Sequence, residues 1–201
     1  MSRLSWKNSL RKTLSRLQPD LKGEPGDRSN PSQASRRVAV VGVGQELRGD
    51  DAAGLLAARR LFAALPAESA SLLVIEAGPA PENHTGALRR FRPDLVLFVD
   101  AAGLETEPGT IRWLDLEDIT GLGASTHSLP LSTLAGFLTA QLGCDVALIG
   151  VQPGETGIGA PLSPPVSAAI VEIVRGLVEV LVQDRSALSR EKSFNIGEPH
   201  A

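Results

Sequence analysis

Short apolar runs separated by helical stretches constrain this chain more than any other feature. Val38–Val41, Leu72–Ile75, Leu95–Val99 and Val146–Val151 are too short for ordinary helices and carry almost no polar interruption. Runs of that kind read as strands buried on both faces, as in parallel sheets. Between them lie helical stretches: one from Asp50 or Asp51 to about Ala64, one from Pro81–Glu82 to Arg92–Pro93, one over Pro130–Leu142, and a long last one over Pro164–Val182. Alternation of this kind predicts an α/β fold with a mainly parallel sheet covered on both faces. Thr110–Leu114 reads as a further short strand whose partner and direction stay open, an antiparallel one included.

The ends of the chain differ from this body. Residues 1–36 are expected to form a basic, disordered arm, residues 37–183 the α/β domain, and residues 184–201 a polar tail. Up to Arg37 there are nine basic and three acidic residues; after it there are eleven basic and twenty acidic ones. A basic arm thus precedes an acidic body. Trp6, Leu10, Leu14 and Leu17 lie at helical spacing among Arg3, Lys7, Arg11, Lys12 and Arg16, which predicts a transient amphipathic helix. Gln18 to Ser35 is rich in Pro, Gly, Ser and charge and reads as a linker. A weak surface contact through the arm, a targeting role and a plain solvated tail are its three readings.

Composition excludes several classes. No apolar run approaches the roughly 20 residues that span a bilayer, so no transmembrane segment is expected. The one cysteine, Cys144, excludes an internal disulfide and a cysteine-cluster metal site, and reads as a small buried hydrophobe. The composition fits a reducing cytoplasm, and nothing in it points to nucleic acid. The zinc-peptidase motif H-E-x-x-H and the nucleophile elbow G-x-S-x-G are both absent.

In sheets of this type ligands bind beyond the carboxyl ends of the strands. That directs attention to Gly42–Asp51, Glu76–Asn83, Asp100–Ala102 and Val151–Gly159. The first loop has glycines as a dinucleotide site would, but Leu47 occupies the place of the third glycine, and no Walker lysine follows. Asp50 and Asp51 would repel phosphate from a helix N-terminus, so the loop suits a cation better, although one aspartate serving only as an N-cap fits as well. Asp100 follows a fully apolar strand and reads as a crevice carboxylate or an Asx-turn acid. His127 precedes the third helix in Ser125–Pro130 and is a ligand or a structural histidine. Glu76 ends the second strand as a supporting or structural acid. Asp51, Asp100 and His127 together offer two carboxylates and an imidazole, a set suited to a divalent transition metal with open positions for substrate or water.

These segments, in this order, resemble the maturation endopeptidases of NiFe hydrogenases, especially the type serving formate hydrogenlyase. The matching stretches are GVGQELRGDDAAG (42–54), IEAGPAPEN (75–83), RPDLVLFVDA (92–101), STHSLPL (125–131) and LIGVQP (148–153). Gln45 stands where the family usually has Asn, and Ala52–Ala53 where Gly-Ala is usual; neither change removes a carboxylate. The resemblance implies a three-layer α/β sandwich around a twisted, mostly parallel five-stranded sheet. It implies an endopeptidase that removes the C-terminal extension of the hydrogenase large-subunit precursor after nickel insertion. It also implies that Asp51, Asp100 and His127 are the catalytic and metal-contacting residues, with nickel carried by the substrate and no tightly held cofactor of the enzyme's own. Two other readings are carried: a noncatalytic nickel-sensing chaperone of the same fold, and a nucleotide-binding α/β protein.

Overall fold

The computed structural model describes residues 5–17, 36–65, 70–121 and 130–183. Five strands form one sheet: β1 Val38–Val43, β2 Leu72–Gly78, β3 Leu95–Ala101, β4 Ile111–Asp115 and β5 Asp145–Val151, in the order β2-β1-β3-β5-β4. All neighbours pair in parallel except β4, which runs antiparallel to β5 with Ile111 opposite Val151. Of the two edge strands, β4 is therefore antiparallel and β2 parallel.

Alternate residues of the central strands feed two separate cores, which is why the runs carry so little polar interruption. Val38, Val40, Leu95, Leu97, Val99, Ala147 and Ile149 face α1 (Trp6–Arg16), α2 (Ala53–Ala64) and α6 (Pro164–Val178). Ala39, Val41, Val96, Phe98, Val146 and Leu148 face α3 (Thr85–Phe91), α4 (Leu116–Gly121) and α5 (Leu131–Leu142). The result is the expected three-layer sandwich around a mixed, mostly parallel five-stranded sheet. Helix α3 begins only at Thr85, because Pro81–His84 forms a tighter 3-10 turn first. Helix α6 continues as a π turn over Glu179–Gln183. Cys144 is buried between α5 and β5, and burial pushes its thiol up to about 11, consistent with a packing role.

One expectation needs correcting. Within the segment read as a disordered arm, Trp6–Arg16 is a folded helix docked on the body, not a transient one. Trp6 and Leu10 are buried in the α2/α6 core, with Leu14 and Leu17 packed against it. Gly176 in α6 makes the room: a β-carbon there would lie 2.5 Å from the Trp6 ring. Lys7 and Arg11 both reach Glu179, at 3.4 and 2.6 Å, and the hydrogen bonds from Arg11 and then Lys7 hold that carboxyl below its usual value. The apolar stripe was readable; its acceptor surface, more than 160 residues away along the chain, was not. Trp6→Ala is expected to cost about 3 kcal/mol in urea unfolding, as for other buried aromatics. A loss below ~0.5 kcal/mol, typical of surface changes, would show that the helix adds nothing to stability.

Among the described residues, no helix is long and apolar enough to cross a membrane.

Candidate active site

The chain leaves β1 for β2 on one side and later enters β3 on the other. The carboxyl ends of β1 and β3 are thus neighbours at a point where the strand order reverses, with Gly42 in register with Val99. A crevice at such a point is where open α/β sheets bind ligands. Both sequence-predicted carboxylates belong to it.

Asp51 sits in a 3-10 turn, Gly49–Ala52, that packs against β3. Two close approaches hold the turn there. Gly44, at φ 138°, lies flush against the Asp51 carbonyl, and Gly54 in the first turn of α2 lies flush against the carbonyls of Val99 and Val43. No side chain fits at either position. Gly54→Ala is therefore expected to cost about 3 kcal/mol, the upper range for overpacking, because the opposing atoms are backbone and cannot rotate away. Melting temperature checks this, and an unchanged value would show that α2 can shift freely.

Asp51 is 4% exposed and accepts a hydrogen bond from the Gln45 N–H at 3.0 Å. Asp100, near the end of β3, is 5% exposed and in register with Gly150. Among the described residues the buried polar side chains are Thr13, Asp50, Asp51 and Asp100, so three of the four belong to this crevice. Burying carboxylates is costly, and their concentration at one sheet edge makes this crevice the candidate site.

The third buried acid does something different. The N-cap reading of Asp50–Asp51 is corrected: α2 starts at Ala53 with Ala52 as its cap residue and no side-chain capping bond. Asp50, fully buried, instead accepts hydrogen bonds from Gly154 (2.8 Å), Glu155 (3.1 Å) and Ser163 (2.7 Å) backbone N–H groups. Its own N–H donates to the Glu155 carbonyl at 2.8 Å. Burial alone would raise its pKa, but the three backbone donors outweigh it and hold the carboxyl below its ordinary value. Asp50 thereby fastens the loop carrying Asp51 to the loop after β5. Sequence alone gave no signal for this, because its partners are backbone groups more than 100 residues distant.

Glu76 is exposed on β2 and pairs with Arg59 of α2 at 2.9 Å, while Arg59 also binds Glu46 at 2.8 Å. Its role is structural: this chain of ion pairs braces the outer side of the Gln45–Arg48 turn. Gln152 was also unforeseen. Its Oε1 accepts the Leu104 N–H at 2.7 Å, and its backbone bonds Thr110 and Gly109, so it fastens the segment leaving Asp100. His127 lies outside the described residues, in the connection from α4 to α5. Among the described residues, no three metal-binding side chains are brought together. The chemistry present is a pair of buried carboxylates carried on two different elements at one sheet edge.

Most of the chain is similar to known proteins. Residues 56–180, which include Asp100 and His127, match the family model HycI, hydrogenase maturation protease. The chain is 36% identical to the hydrogenase 3 maturation protease of Escherichia coli (strain K12) over 136 residues, covering 67% of this chain and 85% of that protein. It is 27% identical to a putative hydrogenase maturation protease of Methanocaldococcus jannaschii over 151 residues, covering 73% and 89%. The solved NiFe hydrogenase maturation protease HycI from Thermococcus kodakarensis KOD1 superposes with a TM-score of 0.67 at 35% identity, over 74% of this chain and 94% of that one.

Proposed function

Given that this chain belongs to the hydrogenase maturation protease family and is an endopeptidase that processes a hydrogenase precursor, we propose that its substrate is a nickel-loaded NiFe hydrogenase large-subunit precursor. It removes that precursor's C-terminal extension and recognises the bound nickel through Asp51, Asp100 and His127. The observation that supports this reading is the pair of buried aspartates, Asp51 in the 3-10 turn that follows β1 and Asp100 near the end of β3. Burial strips both carboxylates of water, and a divalent metal arriving with the substrate would compensate their charge.

Carboxylate oxygens and an imidazole nitrogen can complete the coordination of nickel without competing with thiolate ligands. The chain's one cysteine is buried behind α5 and takes no part. The enzyme therefore reads the metal without extracting it. Nickel held by Asp51, Asp100 and His127 would supply Lewis-acid polarisation of the scissile carbonyl. Asp51, kept in place by the Gln45 N–H, and Asp100, kept in place by β3, orient a water against that carbonyl. A carboxylate accepts the proton of the attacking water, the C–N bond breaks, and the proton leaves on the new amine.

The test is intact mass of the nickel-loaded precursor after incubation with this protein. Loss of a C-terminal peptide is expected. An unchanged mass in a stable complex, with the same precursor trimmed by another maturation protease, would instead make the chain a nickel-sensing chaperone.

A further inference from the structure

The Gln45–Arg48 turn and the loop after β5 carry two large apolar side chains in open solvent. Leu47 is 71% exposed and Ile158 is 84% exposed. Single exposed apolar residues are ordinary, but these two ride on backbones locked to each other and to the site. The Gly159 N–H donates to the Leu47 carbonyl at 2.8 Å, and the Asp50 N–H donates to the Glu155 carbonyl at 2.8 Å. The Asp50 carboxylate takes the Gly154 and Glu155 N–H groups. The turn that presents Leu47 also supplies the Gln45 N–H that holds Asp51. Among the described residues, the other large exposed apolar ones, Phe62, Phe137 and Val171, sit on helices α2, α5 and α6.

We infer that Leu47 and Ile158 form an apolar docking edge for the precursor, gripping an apolar side chain close to the peptide to be cut. This rests on the reading of the site as the place where the precursor is processed. The occupant follows from continuity: an apolar edge rigidly joined to the Asp51 loop is met first by the chain entering that site. Its backbone is ordered before the substrate arrives, so little ordering cost falls on binding.

The experiment uses the full chain and the nickel-loaded large-subunit precursor. Leu47→Ser, Ile158→Ser, the double variant and Phe62→Ser are compared, with Leu47→Met and Ile158→Val as conservative replacements. Processing rate against precursor concentration gives KM and kcat; anisotropy of labelled precursor gives Kd. Each serine variant is expected to raise KM and Kd by about 5-fold, and the double variant by about 20-fold, with kcat within about twofold, the pattern of binding lost equally in ground and transition states. Phe62→Ser is expected to match wild type, and the conservative replacements to raise Kd less than the serine variants at the same positions. A double variant with unchanged Kd, or with lowered kcat and unchanged KM, would overturn the docking edge. Because Kd reports binding and kcat reports cleavage, failure of the edge and failure of the proteolytic reading are separately visible.

Discussion

Asp51→Asn and Asp100→Asn are each expected to lower kcat/KM for the nickel-loaded precursor by about 1,000-fold, the scale of losing a positioned acid–base group. The same substitutions are expected to leave the melting temperature unchanged or raised. Both carboxylates are buried, so folding bears their desolvation with only partial return. Asparagine removes the charge and keeps an oxygen for the Gln45 N–H. Activity lost while stability is kept or gained is the signature of a residue present for function. His127→Ala is expected to share the loss of processing. Processing at the wild-type rate by Asp100→Asn would remove that residue from the site.

Asp50, one position earlier, is expected to behave in the opposite way. Asp50→Ala strands the Gly154, Glu155 and Ser163 N–H groups, which now have no acceptor. At about 1–3 kcal/mol for each unsatisfied buried donor, with partial relaxation, the loss at pH 7 is expected to be about 4 kcal/mol. Asp50→Asn keeps one acceptor oxygen but turns an amide toward a donor, and is expected to cost almost as much. The pH dependence has a definite sign. The folded-state carboxyl lies below its ordinary value of 3.8. Its contribution is therefore complete above about pH 5 and is lost as the pH falls through 3.8 toward the lowered folded value. The stability gap between wild type and Asp50→Asn, measured by urea unfolding, is expected to be constant from pH 5 to 7 and to shrink below pH 4. A gap that widened on acidification would contradict the bonding pattern.

Much of this was legible in residue order because it depends on local chemistry. Apolar runs such as Leu95–Val99 are strands because both faces are covered, and Asp100 stands out because it ends one of them. The crevice position of Asp51 follows from a glycine-rich turn after a buried strand. Features that depend on distant partners were not legible. The helix at Trp6 was readable as amphipathic, but its docking needs Gly176 and Glu179. Strand β4 was recognisable, but its antiparallel seat on β5 is set by a register that no short window contains. Asp50 and Asp51 look alike in sequence, and only their partners separate the carboxylate that fastens two loops from the one held by the Gln45 N–H. Glu76 follows an apolar run as Asp100 does, yet it points outward to Arg59.

The nickel reading stands or falls on one paired measurement. The wild-type protein is incubated with nickel-loaded and with nickel-free large-subunit precursor, and the intact mass of each is followed. Loss of the C-terminal peptide from the loaded precursor alone is the expected result under the proposed reading, in which Asp51 and Asp100 engage the substrate through its metal. Equal trimming of both precursors would contradict it, and would leave the two buried aspartates acting on the peptide without reading nickel at all.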